Sequence, residues 1–154
     1  MAAVRVAIVM GSKSDEEIGQ QAAEVLREFG IAHDIHVISA HRNPNRVRTF
    51  VRSAEASGYT AIIAIAGLAA HLPGVIASMT VLPVIGVPAD AGPLRGQDAL
   101  YAIAQMPPGV PVACVGIGNA KNAALLAAQV CGAADPSLRE RMHAYRKQFG
   151  DDPS

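Results

Sequence analysis

The sequence of 154 residues contains no tryptophan and only three phenylalanines and three tyrosines, although 51% of its residues are hydrophobic. Small and aliphatic side chains, alanine above all, therefore carry the apolar fraction. This composition is typical of helices that pack closely on a sheet or between subunits. A small monomer has little interior in which to bury so much apolar surface, so we predict a homo-oligomer.

An excess of charge of either sign is also absent. The 13 basic and 13 acidic residues balance, so the sequence lacks the basic surface that binds nucleic acid. No apolar run reaches the length of a membrane span without a glycine, proline or polar interruption, and the apolar N-terminal stretch is too short for a signal peptide. We expect a cytoplasmic protein with neither nucleic-acid nor membrane partners.

Cysteine is scarce as well. Cys114 and Cys131 stand in apolar surroundings and are not at the spacing of a metal site. Two such residues cannot form a disulfide framework of the kind that small secreted domains use. We predict that both are buried free thiols in a reducing compartment.

Short β-branched segments alternate with longer segments of helical periodicity. The predicted strands are Val4–Met10, His36–Ile38, Ala61–Ala66, Val81–Val87 and Val110–Ile117. The predicted helices are Asp15–Phe29, Pro44–Ser57, Leu72–Met79, Gln97–Gln105, Asn119–Cys131 and Pro136–Phe149. Alternation of this kind predicts parallel strands with right-handed crossovers. We expect one catalytic domain over residues 1–154, with a core at about 4–132, and a three-layer α/β/α, flavodoxin-like, doubly wound parallel sheet.

The unusual residues of the chain collect directly after the predicted strands. The five segments there are GSKSD, SAHRNP, GLAAHLPG, PADAGPLRG and GIGNAKN. In an open parallel sheet, ligands bind beyond the carboxyl ends of the strands. The sequence therefore predicts one composite site built from these segments. Asp90 and Arg95 of the fourth segment would also lie close to this site.

The first segment, GSKSD, combines a flexible Gly11 with hydroxyl groups at the start of a helix. Free backbone N–H groups and the helix dipole at such a place favour an anionic ligand oxygen. The alternative is ordinary helix capping by Ser14 or Asp15. The segment is not a P-loop, because the G-x-x-x-x-G-K-[ST] pattern is missing. An acidic residue here suits the hydroxyl groups of a ribose better than a phosphate.

The second and third segments each supply an imidazole. His41 follows a strand and precedes Arg42, so a proton-transfer group stands beside a group that can bind a phosphate in a bidentate way. His71 either caps or packs against the following helix or binds a ligand, and Lys121 of the fifth segment suits a surface charge equally well. The segments hold no metal cluster and no serine nucleophile elbow. This set of residues suits proton transfer on a phosphorylated small molecule.

These motifs match a known family in order and in spacing. The stretches VAIVMGSKSD, SAHRNP, AGLAAHLPG, LPVIGVP, GQDALYAIAQMPPGVPV and NAALLAA resemble the class I members of the aminoimidazole ribonucleotide carboxylase family, over residues 4 to 132. Those members are mutases of purine biosynthesis. They convert N5-carboxyaminoimidazole ribonucleotide into 4-carboxy-5-aminoimidazole ribonucleotide by moving a carboxyl group from the exocyclic nitrogen to C4 of the imidazole.

The resemblance implies a homo-octamer that needs no cofactor and no metal. It implies that Ser12, Asp15 and Arg42 bind the ribonucleotide, with Asp15 at the ribose, and that His41 transfers the proton. The pocket for the base and the carboxyl group would be lined by Ser39, Gly67, Leu68, Ala69, Ala70 and His71. Carbon dioxide released from the carbamate would be held there and recaptured by C4.

The chain departs from the family pattern at two places. Leu68 stands where the family often has glycine or methionine, and a larger apolar side chain there would shape the pocket. The fifth segment is shorter than the common form, which affects what Asn119 and Lys121 contact.

Other functions fit the residues less well. Class II carboxylases, which use carbon dioxide directly, typically have lysine after the site histidine and lack AAHLPG, so Arg42 and His71 favour class I. Carboxylases of a nicotinate nucleotide share the fold but lack the full motif set. A phospho-acceptor domain needs an aspartate after the third strand, and a flavin carrier needs aromatics in the site segments. A nucleotide-binding protein without catalysis stays open.

Overall fold

Five strands and six helices lie along residues 4–150, the part of the chain that the computed structural model describes, and they alternate up to the last two helices. The strands are β1 (Arg5–Met10), β2 (Ala32–Val37), β3 (Ala61–Ala66), β4 (Val84–Pro88) and β5 (Ala113–Cys114). The helices are α1 (Glu16–Glu28), α2 (Pro44–Ala54), α3 (Leu72–Ala77), α4 (Gln97–Ala104), α5 (Ala120–Gly132) and α6 (Pro136–Arg146). Short 3-10 turns lie at Lys13–Asp15 and Lys147–Phe149. The two ends of the predicted domain, residues 1–3 and 151–154, lie outside the described residues.

The strands form one parallel sheet in the order β2-β1-β3-β4-β5. The predicted flavodoxin-like, doubly wound α/β fold is confirmed. β3 lies at the centre, and all six of its residues are buried because helices cover both faces of the sheet. The nearly continuous apolar character of β1 and β3 in the sequence has the same cause.

The two faces of the sheet carry separate apolar cores. On one face α1, α5 and α6 pack on alternate residues of β1 and β3, with Leu26 of α1 and Leu138 of α6 fully buried. On the other face lie α2, α3 and α4, with Val47, Ile76 and Ile103 fully buried. Five alanines of α5 are fully buried, and these are Ala120, Ala123, Ala124, Ala127 and Ala128. Side chains this small let α5 approach both the sheet and α1 closely.

The edge strands differ most from the sequence-based prediction. β2 begins at Ala32, earlier than the predicted start at His36. An edge strand is covered on fewer sides and accepts polar residues. Half of AHDIHV is polar, so a pattern of apolar residues does not reveal the first part of the strand. β5 shrinks from the predicted Val110–Ile117 to two residues. Pro111 has no N–H to donate to the ladder, and the N–H of Val110 is already engaged with the carbonyl of Pro107.

Helix and strand ends also shift where side chains compete for backbone groups. β4 begins at Val84 rather than Val81, because Leu82 N–H donates to Thr80 Oγ1 and Pro83 follows. α2 ends at Ala54 and α3 at Ala77, each short of the predicted end. No helix among residues 4–150 combines the length and the apolar character needed to cross a membrane.

Both cysteines are free thiols, as predicted, but they differ in burial. Cys131 is buried in α5, and its burial raises the pKa of the thiol to about 11. Cys114 is only half-buried, which corrects the expectation that both would be enclosed. Burial also raises the pKa of the Cys114 thiol, so both are inert thiols at neutral pH.

Gly86 of β4 provides a test of this packing. A Cβ at this position would lie closer than 3.0 Å to Ile103 Cγ2 of α4 and 3.1 Å from Val112 Cγ1. We expect Gly86→Ala to lower the free energy of unfolding by about 1–3 kcal/mol, because the core cannot accept the extra methyl without moving α4. Urea denaturation at fixed protein concentration measures the change.

Gly132→Ala is the matched control. At the end of α5 a Cβ would meet Arg139 Cγ at 3.5 Å, an ordinary contact. Alanine favours a helix over glycine by up to about 1 kcal/mol, so this variant should be as stable as the parent or more so. Equal destabilisation of both variants would contradict the packing described for β4 and α4.

Candidate active site

A cleft of about 450 Å³ opens where β1, β2 and β3 end. All the residues predicted for the site line this cleft except Ala70, which is buried in the core beneath α3. Neighbouring parallel strands end at the same edge of the sheet, so segments far apart in the sequence meet here. The sequence order β1, β2, β3 becomes the spatial order β2, β1, β3, and the β1–α1 segment therefore lies in the middle.

The β1–α1 segment begins with a hydroxyl turn. Ser12 Oγ accepts hydrogen bonds from Ser14 N–H at 3.2 Å and from the Ser14 hydroxyl at 3.0 Å. Ser12, rather than Ser14 or Asp15, is therefore the side chain that caps the 3-10 turn. Asp15 precedes α1 but makes no side-chain capping bond to it, so its carboxylate is not engaged by the helix backbone.

Asp15 is the one buried polar or charged side chain among residues 4–150, with 6% of its surface exposed. Burial raises the pKa of this carboxyl group above its ordinary value, and a hydrogen bond with the Ser12 backbone opposes the shift in part. A buried carboxylate normally has an ion-pair partner, and the ion pairs of the described residues do not include Asp15. It is therefore available to a ligand in the cleft.

The β2–α2 segment places His41 and Arg42 on the lip of the cleft. Ser39 Oγ accepts a hydrogen bond from Arg42 N–H at 3.2 Å, and Asn43 N–H donates to the Ser39 carbonyl at 2.9 Å. This tight turn ends where Pro44 starts α2, as the sequence predicts. Both His41 and Arg42 are exposed, so a ligand reaches them directly.

The two imidazoles predicted for the site are in contact. His41 Nε2 and His71 Nδ1 lie 2.8 Å apart, and the rings meet edge to face at 87°. One of these nitrogens must carry the hydrogen and the other accept it, so each ring fixes the tautomer of the other. His71 precedes α3 but makes no side-chain cap bond, which removes the capping alternative.

The start of the β3–α3 segment, before His71, forms an apolar wall of the cleft together with the β4–α4 segment. Gly67, Leu68 and Ala69 line it, together with Ala91 from the segment after β4. A Cβ at Gly67 would lie 3.1 Å from Ala91 Cβ and 3.3 Å from Ala89 Cβ. The Gly67 backbone of the β3–α3 segment therefore packs against the alanine side chains that follow β4.

Several lining residues were not predicted, and these are Gly11, Ser14, Ala40, Ala66, Leu72 and Ala91. Gly11 and Ser14 belong to GSKSD, and the hydroxyl groups of this segment are the sequence signal that could have identified both as lining residues. Ala91 carries no such signal, because a methyl group has no chemistry that a sequence pattern reveals.

Other predicted neighbours lie outside the cleft lining. Arg95 Nε donates to Asp90 Oδ1 at 3.0 Å, so these two residues pair with each other. Asn119 Oδ1 accepts from Asn122 N–H and caps α5, and Lys121 is an exposed surface charge. Residues 4–150 contain no group of three or more histidine, cysteine, aspartate or glutamate side chains that could hold a metal ion.

Comparisons with known proteins agree with the motifs. The sequence model of the family described as AIR carboxylase matches residues 5–152. The N5-carboxyaminoimidazole ribonucleotide mutase of Pyrococcus horikoshii is 53% identical over 144 residues, covering 94% of this chain and 81% of that protein. The mutase of Escherichia coli K12 is 51% identical, covering 96% of this chain and 89% of that protein.

A solved structure supports the same relationship. The crystal structure of PurE from Treponema denticola superposes with a TM-score of 0.87 at 30% identity, over 95% of this chain and 91% of that one. A 3-dehydroquinate dehydratase-like protein of Bifidobacterium longum, 14% identical with a TM-score of 0.54, shares the fold alone. The family match spans almost the whole chain and includes every segment that lines the cleft, so this chain belongs to the AIR carboxylase family.

Proposed function

We propose that this chain is an isomerase of purine biosynthesis that converts N5-carboxyaminoimidazole ribonucleotide into 4-carboxy-5-aminoimidazole ribonucleotide. One observation carries the proposal. A single cleft combines a buried unpaired carboxylate, a hydrogen-bonded histidine pair and an exposed arginine, in a chain about half identical to mutases of this substrate over most of their length.

The reaction would proceed through free carbon dioxide. The bond between the exocyclic nitrogen and the carboxyl carbon breaks, and its electron pair stays on nitrogen, which takes a proton from His41. The electron-rich C4 of the aminoimidazole then attacks carbon dioxide and forms the new carbon–carbon bond. His41 finally removes the C4 proton, which restores the aromatic ring and returns the imidazole to its starting state. One proton is given and one is taken, so a single imidazole suffices.

The contacts of His41 support this role. Its Nε2 is held 2.8 Å from His71 Nδ1, and its ring is exposed to the cleft. A proton-transfer group must keep one orientation while its protonation changes, and the second ring restrains it. His71 and the Gly67–Ala69 backbone would also line the place for the imidazole and its carboxyl group, together with Ser39.

The remaining polar residues suit the ribose phosphate. Arg42, exposed on the lip, would bind the phosphate with its guanidinium. Ser12 and Asp15 lie in the middle of the cleft, and Asp15 would accept hydrogen bonds from the ribose hydroxyls, for which an unpaired carboxylate is suited.

The first test offers the purified protein two substrates in parallel, without ATP. One is N5-carboxyaminoimidazole ribonucleotide, and the other is the unsubstituted ribonucleotide with bicarbonate. Ultraviolet absorbance follows formation of the C4-carboxylated product. We expect rapid conversion of the first and slow conversion of the second. Preference for the second would make the protein a carboxylase, and no product from either would leave only nucleotide binding.

Replacing His41 separates catalysis from binding. We expect His41→Asn to lower kcat by roughly 10²- to 10⁴-fold, the usual contribution of a general acid–base group. The product should still raise the melting temperature of the variant, because Ser12, Asp15 and Arg42 are intact. His143→Asn removes an exposed imidazole of α6, outside the cleft lining, and should leave kcat unchanged. Equal kcat values for His41→Asn and the parent would refute the role of His41.

Replacing Asp15 with asparagine should raise stability at neutral pH and lower the affinity for the substrate. The raised pKa of Asp15 means that the folded protein holds the proton more tightly than the unfolded chain, so ionisation of Asp15 lowers stability as pH rises past about 4. Compared with the parent, Asp15→Asn should therefore gain stability as pH increases from about 4 to about 7. A charged hydrogen bond to the ribose is worth about 1.5–3 kcal/mol, so KM should rise roughly 10- to 100-fold.

Urea denaturation at several pH values and steady-state kinetics measure the two effects of Asp15→Asn. A stability difference that shrinks as pH rises would show that Asp15 is a structural ion rather than a ligand group.

We also propose that the chain works in the cytoplasm as a homo-octamer. Several apolar side chains are exposed on the single chain, including Val81 at 91% and Phe149 at 71%, and an assembly would cover them. Light scattering on the purified protein should give eight times the chain mass of 15.9 kDa. A monomeric mass would contradict this proposal and leave the catalytic one untouched.

A further inference from the structure

The exposed surface of α2 carries charge of one sign. Arg46, Arg48 and Arg52 of this helix are exposed, and Arg42 precedes the helix on the lip of the cleft. No acidic residue occurs in this stretch of the sequence to offset the four arginines. The ion pairs among residues 4–150 do not include them, so their charge is not neutralised within the described part of the chain.

This charge does not serve the stability of the helix. Arg48 and Arg52 are four residues apart, so their side chains lie on the same face of α2 and repel each other. In α1, by contrast, Arg27 follows Glu24 by three residues, and opposite charges at that spacing attract. The arginines of α2 therefore suit a role outside folding.

The start of α2 lies at the cleft. The helix begins at Pro44, two residues after Arg42, and its first turn carries no side-chain cap bond from Asn43. With a rise of about 1.5 Å per residue, Arg48 lies about 6 Å from the start along the helix axis and Arg52 about 12 Å. A charge acts over about 10 Å in about 0.1 M salt and about 30 Å in about 0.01 M salt. The positive charge of α2 therefore reaches the mouth of the cleft.

The other side of the cleft mouth has the opposite charge. Glu16 and Glu17 are exposed in the first turn of α1, directly after Asp15 of the cleft lining, and Lys13 offsets one of these two charges. α1 and α2 pack on opposite faces of the sheet. The chain as a whole has no net charge to attract an anion. The difference between its two faces instead favours approach of an anion from the α2 side.

We propose that the arginines of α2 attract the substrate and guide it into the cleft from the α2 side, while Glu16 and Glu17 disfavour the α1 side. This inference rests on the proposed function. The substrate has a phosphate monoester and a carbamate, with about three negative charges together at neutral pH. Arg46, Arg48 and Arg52 act on these charges before Arg42 binds the phosphate. They raise the rate of association without contacting the bound substrate.

The test measures kcat and KM of the purified full-length protein at several salt concentrations. A variant that combines Arg46→Gln, Arg48→Gln and Arg52→Gln should have about 10-fold lower kcat/KM than the parent in about 0.01 M salt. The two proteins should converge in about 1 M salt, where a charge acts over only about 3 Å. The value of kcat should equal that of the parent, because the residues that line the cleft are intact.

Two further variants test the direction and the location of the effect. Glu16→Gln combined with Glu17→Gln should raise kcat/KM several-fold in low salt, because the repulsion on the α1 side is removed. The matched control combines Arg27→Gln, Arg141→Gln and Arg146→Gln. It removes three exposed arginines outside the cleft lining, so it changes the net charge equally but should lower kcat/KM far less.

Equal losses of kcat/KM in the α2 variant and the control variant would overturn the inference, as would a loss that persists in high salt. Light scattering should give the same mass for the α2 variant and the parent. A lower mass would show that α2 is a subunit contact and would also overturn the inference. Product formation by the parent tests the proposed function separately. If the parent forms no product, the proposed function fails first and the inference fails with it.

Discussion

The hydrogen-bonded ladder between β1 and β3 is the constraint on which the cleft depends. It pairs Val6 with Ala61 and continues to Met10 and Ile65, and beyond the strands Gly11 N–H still donates to the Ile65 carbonyl at 3.1 Å. From these two central strands the chain winds outward in opposite directions, to β2 on one side and to β4 on the other. The segments that follow them therefore separate above the sheet and leave a crevice between them.

Burial on both faces makes that ladder rigid. β3 has no exposed residue, and alanine-rich α5 approaches it closely on one face while α3 covers the other. A rigid edge allows the short segments above it to adopt conformations that cost free energy. Asp15 is buried without an ion-pair partner, and Leu68 has a left-handed backbone. Both costs fall on residues that line the same cleft, which is where strain in proteins usually serves a ligand.

The histidine pair shows how the fold creates a chemical group that neither residue provides alone. His41 follows β2 and His71 follows β3, with β1 between those strands in the sheet. The turn at Ser39 and the Gly67–Ala70 segment bring the two rings to hydrogen-bond distance across the end of β1. A single imidazole on a loop would rotate freely. The pair fixes one orientation, which the proton transfer proposed for His41 would require.

The sequence by itself determined the order of strands and helices, the parallel fold and four of the segments that build the cleft, because periodicity and glycine or proline positions act locally. The fifth predicted segment, GIGNAKN, contributes no residue to the cleft lining. The sequence identified His41, Arg42, Asp15 and the GLAAHLPG segment by residue type. Only the tertiary structure decided that β2 starts early and β5 is short, since edge position and the backbone partners of Val110 depend on neighbours in space. The tertiary structure also decided the His41–His71 bond and the approach of Leu68 to Gly92, which join segments distant in sequence. Asp90 and Arg95, which pair with each other, lie outside the cleft lining. The distances between these segments follow from the order of the strands in the sheet, which no local sequence pattern encodes.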